Sequence, residues 1–382
     1  MEQYIWQNKS WPQFFWNPQS IIYPLAKVCK NQGLLEGQIK MLPKETWEDI
    51  IIKSITEEIA DGCILAGSKI KINKIQLKSA VSSWLKSKTD QNSHIHVSHP
   101  LTDLFFTVME TDSHKITLDH LIGWNKQLTE AIEVNFNNIN QEEKNNDFRK
   151  EEYTFIKNNK ICYKAPSHNS LNKEMELFLK WFNKPNQTLK LNNILKSAIS
   201  YIYFIAIHPF PATNNKIDNT LILAGLLSLK ELIKDNTSAN LWDSISGNSN
   251  IIFNISSQLL KNKEEYDFML VRSLTTSMDI TPWLLWYMDQ INISILSLIK
   301  GLERTEEIQN IAPQFENLGI NKRQEMILKH LFNNTKKTIT STIYSEICQC
   351  SQDTASRDLE KLLKMNLIKK GSSRGRSTFY YI

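Results

Sequence analysis

From Leu191 to Ile207 the chain reads as a single helix that is almost uniformly apolar. A helix with no polar face to turn toward water has to be covered on all sides. The chain must therefore supply a layer of other elements around it. With 382 residues, 41% hydrophobic and 22% charged, it has the material for such a core, and global disorder is excluded. At roughly 100–200 residues per domain this length predicts two or three domains. The helix has to stop at His208-Pro209, because proline cannot continue the hydrogen-bond ladder. The apolar run Tyr201–Phe210 is far shorter than the ~18–20 residues of a spanning helix, so no membrane partner is expected.

The elements around this helix follow from periodicity. Glu45 to Lys86 predicts two helices joined at Asp61–Gly67, and Leu101 to Ile139 again reads as helical. Gln141 to Arg149 reads as a polar surface loop. Tyr153–Ile156 and Ile161–Tyr163 around Asn158-Asn159 predict a hairpin. Helices follow at Leu171–Phe182, Ile217–Leu232, Ile251–Leu274 and Trp283–Ile299. The first 45 residues hold Trp6, Trp11, Phe14, Phe15, Trp16 and Tyr23, which should anchor that segment on the body. Pro12, Pro18 and Pro24 are expected to prevent a long helix there.

Charge is uneven. Asn321 to Ile382 holds twelve basic and five acidic residues, a charge of +7, and the other 320 residues carry −2. That stretch reads as helix, helix, helix and then two strands around a basic turn, the order of a winged helix-turn-helix. Ser351 looks like the N-cap of its third helix. Thr354, Ser356, Arg357 and Lys361 on that helix, with Arg374 and Arg376 in the wing, are the candidate DNA contacts. A protein-docking module without nucleic acid is the competing reading.

Other cues exclude more than they assign. Met1–Trp6 shows no basic stretch leading into an apolar one, so no secretory signal is expected. The five cysteines form no CxxC pair, which predicts reduced thiols in the cytoplasm and neither a disulfide framework nor a zinc site. His94, His96 and His99 have a metal-like spacing without supporting acidic or cysteine ligands, so no metal site is assigned. The sequence is compatible with a homodimer but does not demand one.

The informative stretch is His208-Pro209-Phe210-Pro211-Ala212-Thr213-Asn214-Asn215-Lys216-Ile217-Asp218-Asn219. It is a loop leading to a helix N-terminus, where free N–H groups and the helix dipole favour phosphate. It resembles the core motif of the Fic (Fido) family, His-x-Phe-x-(Asp/Glu)-Gly-Asn-Gly-Arg-x-x-Arg, through His208, Phe210 and Asn214. The likeness extends along the chain. Trp6 and Trp11-Pro12 resemble an N-terminal extension of some bacterial members. Tyr163–Pro166 and the helix from Glu174 to Asn183 resemble the family's flap and following helix. Asp279-Ile280-Thr281-Pro282-Trp283 matches a late signature, and such members often end in a winged helix.

The resemblance implies a mainly α fold: a Fic-type helical bundle with a small β-hairpin flap, plus a C-terminal winged helix-turn-helix. It divides the chain into an N-terminal Fic-associated extension (1–100), a Fic core (101–300), a linker (301–320) and the winged helix (321–382). It also implies transfer of AMP from ATP, with Mg²⁺, to a hydroxyl of a target protein. In that scheme His208 is the general base, and Phe210, Thr213, Asn214, Asn215 and Lys216 surround the nucleotide.

The departures fall on both motif glycines, here Thr213 and Asn215, and on the charges. The metal-holding acid is Ala212, the first arginine is Lys216 and the γ-phosphate arginine is Asn219. Loss of metal and arginine stabilisation of phosphate typically costs several kcal/mol, or roughly 10³-fold in rate. Many members carry an inhibitory Ser/Thr-x-x-x-Glu-Gly whose glutamate pairs with that last arginine. Counted back from Gly67, the glutamate's place is Ala66, so brake and arginine are missing together. The expectation is a regulator with a degenerate adenylyltransferase site, AMP transfer weak or absent, and a DNA-binding winged helix. A working protein adenylyltransferase is the first alternative.

Overall fold

The structure is a computed structural model that describes residues 4–69, 72–89, 97–112, 115–135, 147–157, 159–185, 191–213, 216–233, 254–275, 277–317, 319–333, 338–371 and 378–381. The chain forms two compact units, Met1–Ile295 and Leu296–Ile382. Among the described residues no helix is long and apolar enough to cross a membrane.

The first unit begins with helices α1 (Pro18–Lys40), α2 (Lys44–Leu65), α3 (Lys74–Thr89), α4 (Pro100–Glu110) and α5 (Leu118–Asn135). Strands β1 (Thr154–Lys157) and β2 (Lys160–Lys164) pair antiparallel as the small hairpin, with Phe155 opposite Tyr163. Then come α6 (Leu171–Phe182), α7 (Asn193–Ile207), α8 (Asn219–Leu232), α9 (Ile255–Lys261), α10 (Lys263–Thr275) and α11 (Thr281–Asn317), the last reaching into the second unit.

Helix α7 is the centre, as its composition requires. Every residue from Ile194 to Ile207 is buried. An unpaired buried polar group costs about 1–3 kcal/mol, and most of the helix's polar groups are matched by neighbours, the buried Tyr203 hydroxyl being an exception. The Ser197 and Ser228 hydroxyls lie 2.7 Å apart, and Ser228 is 2.7 Å from the Tyr287 hydroxyl. Trp283 Nε1 donates to the Ala198 carbonyl at 2.8 Å. Lys196 pairs with Glu231 of α8 at 3.2 Å, both side chains wholly buried.

The aromatic N-terminus does clamp the body. Trp6 Nε1 donates to the Lys164 carbonyl (2.7 Å) and Trp11 Nε1 to Glu174 Oε2 (2.8 Å), while Trp11 and Phe14 both pack edge-on against Tyr203. Phe15 and Tyr23 depart from that expectation and are exposed. The prolines do not prevent a long helix either. Pro18 sits in the first turn of α1, where its missing N–H would have had no helical partner, and Asn17 caps that end. Pro24 lies inside the helix, and Ser20, whose carbonyl loses that bond, faces water.

Two further expectations change. Helix α2 runs on through Asp61–Leu65, where a joint was expected, and Gly62 lies within it. Helix α11 continues through Gly301 and Pro313 to Asn317, across most of the stretch read as a linker. The strong helix formers from Glu303 to Gln309 outweigh the two breakers.

The second unit contains α12 (Lys322–Asn333), β3 (Thr338–Ile339), α13 (Ser341–Cys348), α14 (Gln352–Lys364), β4 (Lys369–Lys370) and β5 (Tyr380–Tyr381). Its sheet runs β3-β5-β4, all antiparallel. This is winged helix-turn-helix topology, with one strand, β3, that two residues of sequence are too short to reveal. Leu328, Leu331, Tyr344, Leu359, Leu362 and Ile368 form its core. Ser351 does cap α14, accepting from the Thr354 N–H. Asp358 ties three segments together, accepting from Asn321 Nδ2, Arg323 Nε and the Tyr344 hydroxyl, each at 2.9 Å. Burial pushes its carboxyl up, but these bonds and the Arg323 charge outweigh that and hold it below the usual range.

Candidate functional site

The site is the turn between α7 and α8. Pro209 ends α7, and His208 caps it in the left-handed region at φ 48°, ψ 64°. That conformation is uncommon for a non-glycine residue and has to be held. Arg149 holds it. Its Nε donates to the His208 carbonyl (2.7 Å), its guanidinium also reaches the carbonyls of Pro166 (2.5 Å) and Glu151 (2.8 Å), and its N–H donates to the Pro209 carbonyl (2.9 Å). The sequence reading left Arg149 at the end of a surface loop. The structure buries it, because its fan of donors matches the His208 carbonyl at the end of α7 and the Glu151 and Pro166 carbonyls on either side of the hairpin.

The His208 imidazole is only 1% exposed. The Tyr153 ring, at the foot of the hairpin, stacks on it with centroids 3.2 Å apart and 14° between planes. Nε2 lies 3.4 Å from Asp218 Oδ2, and neither ring nitrogen has a well-aligned hydrogen-bond partner. Burial, reinforced by the Arg149 charge, holds the imidazole well below its usual range, so it is neutral. Burial pushes the Asp218 carboxyl up to about 7, against the pull of the Leu221 and Thr220 N–H groups and the Tyr153 hydroxyl.

The loop itself is internally bonded. Thr213 N–H donates to the Ile217 carbonyl (2.9 Å), Lys216 N–H to the Thr213 carbonyl (2.8 Å) and Asp218 N–H to the Ala66 carbonyl (2.9 Å). Ile217 N–H donates to Thr213 Oγ1 at 3.1 Å. Asp218 is the N-cap of α8, its carboxylate accepting from Leu221 N–H at 3.1 Å. A phosphate would need those amides free and that helix end open. Here the amides are engaged, and a carboxylate already occupies the positive end of the dipole.

The other residues of the motif fall in place around this turn. Phe210 is fully buried against Phe204 and Phe148, and its backbone bonds the Thr220 hydroxyl. Its position is that of a core anchor. Lys216 is exposed and left-handed at φ 60°. Asn214 and Asn215 lie outside the described residues. Asn219 is 1% exposed and turns its amide to Asn125 Oδ1 and Thr129 Oγ1 of α5, both at 2.9 Å. Ala66 is buried at the end of α2. A Cβ on the next residue, Gly67, would meet the Lys216 carbonyl at 3.3 Å. The strand of contacts from α2 to the turn is present, without the carboxylate the resemblance puts there.

The residues do not fit a resident magnesium ion. Ala212 offers no oxygen from its side chain, and no group of three acidic, histidine or cysteine side chains among the described residues could hold a metal. His99 instead caps α4, while His94 and His96 lie outside the described residues. Sequence reasoning missed Arg149, Tyr153, Asn125 and Thr129. Their only signal is polarity, which a surface loop or helix face shares.

In the second unit Ser356 and Arg357 are exposed on α14. Lys361 donates to the Gly319 carbonyl at 2.8 Å, and Thr354 bonds Ser351, so both are partly engaged. Arg374 and Arg376 lie outside the described residues.

The raised Asp218 carboxyl has a consequence for stability. A group whose pKa is higher in the fold stabilises it fully below its unfolded value of 3.8 and ceases to as pH rises through about 7. The Asp218→Asn variant lacks that loss. Its stability relative to the parent should therefore rise between pH 5 and pH 8, by roughly 1–3 kcal/mol. Thermal unfolding at the two pH values measures it, and a relative stability that falls with pH contradicts the assignment.

Residues 4–86 match the model of a domain of unknown function, DUF4172, and residues 115–223 match that of the Fic/DOC family. None of the curated proteins matches the chain. Among solved structures, a Fic family protein from Desulfovibrio desulfuricans G20 is similar at 12% identity and a TM-score of 0.47, covering 97% of this chain and 98% of that one. A Fic domain containing signaling protein from Bacteroides thetaiotaomicron VPI-5482 is similar at 14% identity and a TM-score of 0.40, covering 72% and 98%. On the family match, the chain carries a Fic/DOC family domain over residues 115–223.

Proposed function

We propose that this protein is a regulator whose Fic domain transfers AMP weakly or not at all and whose winged helix binds DNA. The observation that carries the first half is Asp218. It caps α8 and faces His208 at 3.4 Å, so the helix end that would receive a phosphate already holds an acid. Ala212 in place of a metal-binding acid and Asn219 in place of an arginine point the same way. The neutral imidazole of His208 keeps the chemical capacity of a base, but its ring is 1% exposed, lies beneath Tyr153 and has Asp218 at Nε2.

The second half rests on the +7 charge of 321–382 and on exposed Ser356, Arg357, Lys364, Lys369 and Lys370 in the second unit. The five cysteines are all free, which fits a reducing compartment, and we place the regulator in the cytoplasm.

Labelled ATP mixed with the protein and a cell lysate tests the first half. Label appearing on a protein hydroxyl, and lost in His208→Ala, would mean a working transferase. Titration with duplex DNA tests the second half. The expected result is binding that weakens steeply with salt, and weakens further in Arg357→Ala. Salt-independent binding, or none at low salt, rejects it.

A further inference from the structure

The outward side of α14 carries an ordered row of charges. Ala355, Asp358, Leu359 and Leu362 are its buried side. Asp353, Arg357, Glu360 and Lys364 are exposed, and at 3.6 residues per turn they share a stripe roughly 60° wide on the opposite side. Their spacings of three and four residues would allow ion pairs all along it. On α12 of the same unit such a pair does close, Glu325 to Lys329 at 2.7 Å. The four side chains of the stripe close none with one another, and their donors and acceptors stand in water.

The alternation of sign is informative. A surface that only gripped phosphates would be weakened by Asp353 and Glu360, because each acid repels the backbone. Asp353, in the first turn, also suits the positive end of its helix, but Glu360 lies beyond the second turn and has no such role. Base edges offer an acid a partner. In the major groove Asp or Glu accepts from cytosine N4, while the Arg fork donates to guanine O6 and N7. The N-terminal residues of the second helix of a helix-turn-helix are those that reach base edges, and Asp353 and Arg357 lie in the first two turns of α14.

We propose, building on the DNA-binding reading above, that α14 reads one guanine through Arg357 and one cytosine through Asp353. Side chains four apart on a helix stand ~5–6 Å from each other and base pairs ~3.4 Å, so the two bases lie about one or two base pairs apart. The exposed Lys369 and Lys370 of β4 are left for phosphate.

The test is selection by the full chain from a pool of random duplexes, with sequencing of what is retained. It should enrich a motif holding a guanine and a cytosine at that spacing. Arg357→Ala should lower affinity for the enriched duplex by about 10- to 100-fold and abolish the preference for guanine. Asp353→Asn should bind unselected duplex more tightly, since a repulsion is gone, and should trade cytosine for adenine, whose N6 and N7 suit an amide. Both positions are exposed, so both variants should keep the parent's circular dichroism and melting temperature. Salt-dependent binding without an enriched motif, a motif lacking those two bases, or base preferences unmoved by the two variants overturns this inference and leaves DNA binding standing. Absence of salt-dependent binding to any duplex removes DNA binding and this inference together.

Discussion

Replacing Lys196 with methionine is expected to destabilise the first unit by about 3–5 kcal/mol, because it leaves the Glu231 carboxylate buried without its counter-charge. Lys196 Nζ lies 3.2 Å from Glu231 Oε2, donates to the Lys184 carbonyl at 3.0 Å and sits 5.2 Å from the Phe182 ring centroid. Neither partner reaches water, so no solvent can replace the lost contact. At about 2–4 °C per kcal/mol for a unit of this size, the melting temperature should fall by roughly 10 °C. The double variant Lys196→Met, Glu231→Leu should recover most of the loss, since two apolar groups remove both the attraction and the desolvation it offsets. Denaturant unfolding of both variants gives the numbers. A Lys196→Met protein within about 1 kcal/mol of the parent would show that Glu231 finds another partner.

Arg149→Met carries the second large effect, about 3 kcal/mol, from three carbonyls left without a charged donor in a buried place. It should also release His208 from its left-handed backbone, since the guanidinium bond to the His208 carbonyl is what holds that residue. The ring current of Tyr153 shields the His208 ring protons in the parent. In the variant the His208 resonance should move downfield and titrate nearer the ordinary histidine range. A resonance unchanged in both respects would assign the turn's geometry to Pro209 alone.

Much of this fold could be read from the residues. Helix α7 announced itself because it has no polar face, and Leu171–Phe182 matched α6 at both ends because four large side chains share one side. Ser351 marked the start of α14 through its hydroxyl. The misses have physical causes. Pro24 reads as a helix breaker in isolation, but exposure of Ser20 lets water take the bond it vacates. Gly301 and Pro313 read as a linker, yet local helix propensity carries α11 past both.

The site was legible in its losses more than in its contacts. Ala212 and Asn219 could be recognised as missing charges through the resemblance to the Fic motif. What replaces them could not. Asp218 appears in sequence as an ordinary helix cap, and only the fold brings its carboxylate beside His208 and beneath the Tyr153 hydroxyl. Arg149 lies 59 positions before His208, and a contact of that span leaves no periodic trace.

The central claim is that the turn from His208 to Asn219 no longer holds a nucleotide triphosphate. Calorimetric titration of ATP into the full chain, with and without Mg²⁺, tests it most directly. The account predicts no saturable heat in either case, and a gain of weak binding in Asp218→Asn, where the helix end loses its acid. Stoichiometric binding by the parent that tightens when Mg²⁺ is added would contradict it.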